Sequence, residues 1–196
     1  MASGVFSVNP QALLSGKKED LLPALQKLAD ELSRFTHESG EFPEAVAKVL
    51  GNKKLVKHKD ADVRLMVACC ISDALRLQAP NSPFANDRLG DIFELLVSQL
   101  GGIEDLNGAS YHRYVYLFER LAETKSFVLL PDGADDLVAQ TFEALFKAAH
   151  PEHGKRVERH MLDILTTCIE NEESVAPEVA DRVLMNLVEP QKTERP

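Results

Sequence analysis

Apolar residues recur along this chain every three or four positions, in segments separated by prolines, glycines and charged turns. That period lays one face of a helix on a core, whereas a half-buried strand alternates every second residue. No segment keeps the period of two for long enough to predict a strand. The clearest helical pattern lies in Leu55 to Phe84. His58-Lys59-Asp60-Ala61 predicts a turn, and Asp60 an N-cap, because its carboxylate can accept from free first-turn N–H groups. Asp62 adds negative charge at the positive end of the helix dipole. Val63, Met66, Val67, Cys70, Ile71, Ala74 and Leu75 then share one face of a helix over about 61–79. Pro80 and Pro83 cannot continue it. The helices on either side are expected to cover this apolar helix.

The same logic divides the rest. Residues 1–18 form a lead-in that packs loosely or docks on the first helix. A helix over 20–36 presents Leu21, Leu25, Leu28, Leu32 and Phe35, with Pro23 tolerated in its first turn. A shorter helical stretch over 41–57 is bent or broken at Gly51-Asn52. Leu89, Ile92, Phe93, Leu96, Val97 and Leu100 define a helix over 87–100 that Gly101-Gly102 ends. Tyr111, Tyr114, Val115, Phe118, Leu121 and Ala122 define one over 110–125, followed by a connection at 127–131. Leu137, Val138, Thr141, Phe142, Leu145, Phe146 and Ala149 mark a helix over 135–149. Val157, Met161, Leu162, Leu165, Cys168 and Ile169 mark one over 151–170, and Pro177 opens a last helix with Val179, Val183, Leu184 and Leu187.

These elements predict an all-α fold of about eight helices in antiparallel pairs. Successive second helices begin near 61, 111 and 155, a spacing of roughly 45 residues that matches a HEAT-type helical repeat array, an α-solenoid. A compact helical bundle is the competing fold. The repeats are expected over 19–190, with 191–196 a tail or truncated connection. A chain of 196 residues that stops after one helix of a further pair reads as a fragment of a longer protein.

Hydrophobic residues at 44% and charged residues at 27% fit a folded globular chain rather than a disordered one. A formal net charge of −9 argues against general binding to nucleic-acid phosphates. No run of about 18 apolar residues predicts a membrane span. Three cysteines, two of them adjacent, make a poor disulfide framework, so the expectation is a soluble intracellular chain.

Catalytic signatures are missing: the sequence has no phosphate loop, no nucleophile elbow and no zinc-type cysteine spacing. His150, His153 and His160 are the best metal candidates, but Pro151 and Gly154 place them in a loop with no completing ligand, so they read as exposed loop histidines and no metal is expected. Cys69 and Cys70 read as core residues, because no base or positive charge adjoins them to favour a thiolate. Lys53, Lys54, Lys57, His58 and Lys59 concentrate potential positive charge in seven residues. Such a cluster can hold a polyphosphate-type anion or an acidic segment; the plainer reading is a solvated helix end, where lysines suit the dipole. No other cofactor is expected. The Tyr111, Tyr114, Phe118 stripe reads first as a core face.

The stretch His58-Lys59-Asp60-Ala61-Asp62-Val63-Arg64-Leu65-Met66-Val67-Ala68-Cys69-Cys70-Ile71-Ser72-Asp73, continued by Ala79-Pro80-Asn81-Ser82-Pro83-Phe84, resembles the N-terminal region of the Pds ("precocious dissociation of sisters") family of HEAT-repeat cohesin regulators. Asp91-Ile92-Phe93, Leu100 to Asp105, Tyr111-His112-Arg113-Tyr114 and His160-Met161-Leu162-Asp163 extend the resemblance in order over about 50–190. Before residue 50 it reduces to a helix pattern.

The resemblance implies a non-enzymatic nuclear, chromosome-associated scaffold. It implies cohesin subunits as partners, with the kleisin held mainly beyond this segment, together with the cohesin release factor and the cohesion acetyltransferase, and chromatin contact only through cohesin. No membrane partner is implied. It further implies a surface motif, Ala-Pro-Asp/Glu-Ala-Pro-Tyr, that receives short regulator peptides. Ala79, Pro80 and Pro83 match it, while Asn81, Ser82 and Phe84 replace the acid, the alanine and the tyrosine. Two other classes stay open: a generic HEAT-repeat adaptor such as a transport scaffold, and an enzyme with unrecognised residues in a deep pocket.

Overall fold

The computed structural model describes residues 6–36, 42–170 and 180–181. Among them lie eight α-helices and no strand: α1 Lys18–Arg34, α2 Glu44–Leu50, α3 Lys53–Val56, α4 Ala61–Gln78, α5 Asn86–Leu100, α6 Tyr111–Glu123, α7 Asp135–Ala148 and α8 Lys155–Glu170. Short 3-10 turns cover Pro10–Leu14, Gly101–Glu104 and Ser126–Leu129. The helix expected from Pro177 and the tail at 191–196 lie outside the described residues, apart from two helical positions at 180–181. The chain forms two compact units, residues 1–95 and 96–196.

In the first unit α4 is the centre, and α1, α2 and α3 all pack on it. Its start follows the capping argument, with the Asp60 carboxylate accepting from the Val63 N–H at 3.2 Å. Its burial exceeds the single face predicted: Leu65, Ala68, Cys69, Ser72, Asp73 and Leu77 are buried as well. A helix surrounded by neighbours needs no polar face. Asp73 is tolerated because Arg76 Nε lies 3.1 Å from its Oδ1. The same guanidinium donates from Nη2 to the carbonyls of Leu32, at 2.9 Å, and Phe35, at 3.4 Å, satisfying the C-terminal end of α1. Leu25, Leu28 and Leu32 of α1 are fully buried, as are Val67, Cys70, Ile71 and Ala74 of α4. Each large apolar side chain removed from water in this way contributes about 1.5–3 kcal/mol.

Four local features have physical causes. The first helix begins at Lys18, so Pro23 falls inside it rather than in its first turn; exposed Glu19 leaves the carbonyl that proline cannot serve open to solvent. The lead-in docks: Phe6 is buried with its ring centroid 5.2 Å from that of Phe35. The stretch over 41–57 is two helices, because the Asn52 side chain accepts from the Lys54 N–H at 3.0 Å and caps a new start. Gly101 and Gly102 end α5, but the chain runs on as a 3-10 turn. Gly102 leaves room for Tyr114: a Cβ there would run into the end of that ring, which would have to move.

In the second unit α6 packs on α8, and α7 packs on α8 and on the Gly101–Glu104 turn. The buried face of α8 is Val157, His160, Met161, Ile164, Thr167 and Cys168. Leu162 and Ile169, placed on the core face by pattern, are instead 63% and 47% exposed. The spacing 157, 161, 164, 168 is the regular three-four alternation of a packed seam, and it leaves 162 and 169 on the flank. On α6, Leu117 joins Phe118, Leu121 and Ala122 in the core, while Tyr111, Tyr114 and Val115 stay half-buried. On α7, Ala148 is buried and Ala149 exposed.

Candidate functional site

The end of α4 and the start of α5 frame the 79–84 loop. Ala79, Pro80 and Asn81 are exposed, Ser82 and Pro83 half-buried, and Phe84 buried. The Asn81 N–H donates to the Gln78 carbonyl at 2.8 Å. The Phe84 N–H donates to Ser82 Oγ at 3.0 Å, a serine turn that points the Phe84 ring inward. Phe84 is thus an anchor, with Gly51 against its ring and Ile92 beside Gly51. Glycine suits this contact, since a Cβ at 51 would stand 3.3 Å from Phe84 Cδ1 and the ring would have to give a little.

Phe84 also lines an opening beside this anchor. A cavity of about 240 Å3 opens between α2 and the loop, lined by Glu44, Ala47, Lys48, Gly51 and Asn52 on one side and by Pro83, Phe84, Ala85 and Arg88 on the other. Small-molecule sites run to about 300–1,000 Å3, so this volume suits one inserted side chain rather than a cofactor. Its floor is apolar and its rim charged. Lys48 Nζ lies 2.7 Å from Glu44 Oε1 on the α2 wall, and that hydrogen bond holds the Glu44 carboxyl below its ordinary range. Of the six loop residues, Pro83 and Phe84 line the cavity; Ala79, Pro80 and Asn81 lie on the surface beside it.

The basic cluster is divided. Lys57 Nζ sits 2.6 Å from Asp91 Oδ1 and 3.1 Å from Glu94 Oε2, and Lys53 Nζ 3.2 Å from Asp91 Oδ2. The hydrogen bond from Lys57 holds Asp91 below the ordinary aspartate range, and its partners raise Lys57 in turn. His58 Nδ1 accepts from the Asp60 N–H at 3.1 Å, which is a turn role. Lys54 and Lys59 are exposed. The cluster is therefore partly neutralised by α5.

The histidines depart from the expected exposed loop. His153 is buried: its Nε2 donates to the Ala148 carbonyl at 2.9 Å, and its Nδ1, 3.1 Å from the Tyr111 hydroxyl, accepts from it. The carbonyl can only accept, which fixes the tautomer. The ring thus ties the loop after α7 to α6. His160 lies in the core on α8 with neither ring nitrogen hydrogen-bonded among the described residues. Only His150 remains at the surface of that loop, half-buried. No group of three or more metal-ligating side chains converges among the described residues. Cys69, Cys70 and Cys168 are buried free thiols. Burial pushes the Cys70 thiol well up, so it stays protonated, donating to the Leu25 carbonyl at 3.7 Å. No described helix is long and apolar enough to cross a membrane.

Helices packed on one another within each unit, with no strand among the described residues, are those of a HEAT-type helical repeat protein. A family model described as "Sister chromatid cohesion protein PDS5 protein" matches residues 19–196. The chain belongs to this PDS5 family, and the match reaches further towards the start than residue 50, where the legible motifs begin. It is similar to sister chromatid cohesion protein PDS5 homolog B-B of Xenopus laevis, 33% identical over 177 residues, covering 87% of this chain and 12% of that relative. The human PDS5 homolog B is 37% identical over 142 residues, covering 71% of this chain and 10% of that protein. The structure of a Pds5-Scc1 complex superimposes with a TM-score of 0.77 and 29% identity, over 92% of this chain and 27% of that one. The chain therefore spans about 12% of the length of a curated relative it matches.

Proposed function

We propose that this chain is a non-enzymatic scaffold segment that regulates cohesin, and with it sister chromatid cohesion, in the nucleus and on chromosomes. Family membership supports the cohesin assignment over a generic adaptor or transport scaffold. The relative solved with Scc1 supports a cohesin subunit as one partner of the whole protein. The observation that carries the local role is the 240 Å3 cavity beside Pro83 and Phe84. A short aromatic-containing peptide of the cohesin-release machinery docks there, its ring filling the space over Phe84 and Gly51. Two prolines limit the entropy the loop loses on binding. A short segment offers few contacts, so micromolar affinity, about −8 kcal/mol, is the expected scale.

The test of the cohesin assignment is copurification. The full-length protein and a version with Pro80→Lys and Pro83→Ala are recovered from nuclear extract and probed for cohesin subunits and for the release factor. Cohesin retained with both proteins, and release factor lost with the variant, is the expected result. Absence of cohesin from both would overturn the assignment.

A further inference from the structure

The charges on the rim of the cavity are not balanced. On the α2 wall Glu44 and Lys48 satisfy each other at 2.7 Å. On the α5 wall Arg88 has only its sequence neighbour: its Nε lies 3.5 Å from Asp87 Oδ2. Adjacent residues on a helix do not face each other, and 3.5 Å is well beyond the roughly 2.7–2.9 Å of a charge-assisted hydrogen bond. No carboxylate among the described residues holds the two terminal guanidinium nitrogens. The nearby acids of α5 are engaged elsewhere, Asp91 by Lys53 and Lys57, and Glu94 by Lys57. The exposed loop offers no negative charge either, because position 81 carries the neutral amide of Asn81. Arg88 is thus the more weakly compensated of the two cations lining this cavity, 43% exposed, with its terminal nitrogens turned to no carboxylate among the described residues.

Resting on the reading that the cavity receives a peptide side chain, we propose that Arg88 selects peptides whose cavity-filling residue is followed by an acidic side chain, through a paired hydrogen bond from the guanidinium to that carboxylate. The preference is a property of this chain's own rim. A basic residue placed against Arg88 would be rejected by like charge.

Fluorescence anisotropy with fluorescein-labelled Gly-Ser peptides tests this. Each carries one tyrosine followed by aspartate, asparagine or lysine. With the wild-type chain the aspartate peptide binds about fivefold tighter than its asparagine twin, the scale of a partly exposed charged pair, and the lysine peptide weakest. R88Q brings the aspartate and asparagine peptides to equal affinity, while R88K keeps part of the preference. Arg88 is half-exposed, and matching melting temperatures confirm that both variants fold. Equal binding of all three peptides to the wild type, or a preference that survives R88Q, overturns the proposal and leaves the cavity reading standing. If no peptide binds the wild type, the cavity reading itself fails and this inference falls with it.

Discussion

Phe84 closes against Gly51 so tightly that a Cβ at position 51 would stand 3.3 Å from the ring and 3.4 Å from the Ala47 carbonyl. This contact joins α2 to the start of α5 and forms the cavity floor. Gly51→Val forces a branched side chain into that space, and overpacking of this kind costs about 1–3 kcal/mol. Urea denaturation is expected to show a lower midpoint with an unchanged slope. An unaltered midpoint would mean that Phe84 can move aside, and the floor would not be fixed.

The Lys57–Asp91 pair predicts a specific pH response. Asp91 is depressed in the folded protein, so its contribution is complete above the ordinary aspartate pKa and is lost as pH falls through the folded value. Lys57 is raised, so its contribution is complete below the ordinary lysine pKa and is lost as pH rises through the folded value. Asp91→Asn is therefore expected to flatten the acid limb of the stability curve, as read by thermal melts across pH. The same variant frees Lys53 and leaves Lys57 with Glu94 alone. Inorganic polyphosphate is expected to raise its melting temperature more than that of the wild type, by mass action on the freed cluster. Equal shifts would leave the lysines without an anion role.

The Asp73–Arg76 pair on α4 holds a charge inside the first unit. The Asp73 side chain is fully buried, and Arg76 also serves the carbonyls that end α1. Arg76→Leu takes the guanidinium from a carboxylate held out of water, a change that costs up to about 3–5 kcal/mol for a buried pair. Arg76→Lys keeps the charge but not the fork, and is expected to recover only part of that loss. Chemical denaturation checks both. A cost below that of an ordinary surface substitution would place the pair at the surface.

The helices were legible because capping and period are local. Asp60, Asn52 and the prolines act on their own turn, and Leu25, Leu28 and Leu32 declare a face within their own helix. What was not legible depends on neighbours. The sequence does not announce that α4 is wrapped by three helices, so Asp73 reads as exposed until Arg76 is seen beside it. The face of α8 rotated away from Leu162 and Ile169 because α6 and α7 decide which residues of α8 they touch. His153 looked like a surface residue because its partners, Ala148 and Tyr111, lie five positions back and on another helix. At the site, the double-proline loop was visible as a stop signal and by family resemblance. The cavity was not, since Ala47, Gly51 and Arg88 come to it from other elements. A conceivable clue was the pair of small residues four apart, Ala47 and Gly51, which leaves a gap on one face of a helix.

The central claim is that the surface at Pro83 and Phe84 receives a peptide, and titration tests it most directly. A labelled peptide with a single tyrosine is titrated by calorimetry into the wild-type chain and into the Pro80→Lys, Pro83→Ala double variant, once both show the same melting temperature. Micromolar binding to the wild type and at least a tenfold weaker Kd for the variant, about 1.4 kcal/mol, is the predicted result. Equal affinity of the two proteins would contradict it, leaving the loop as a helix terminator and placing recognition on another surface.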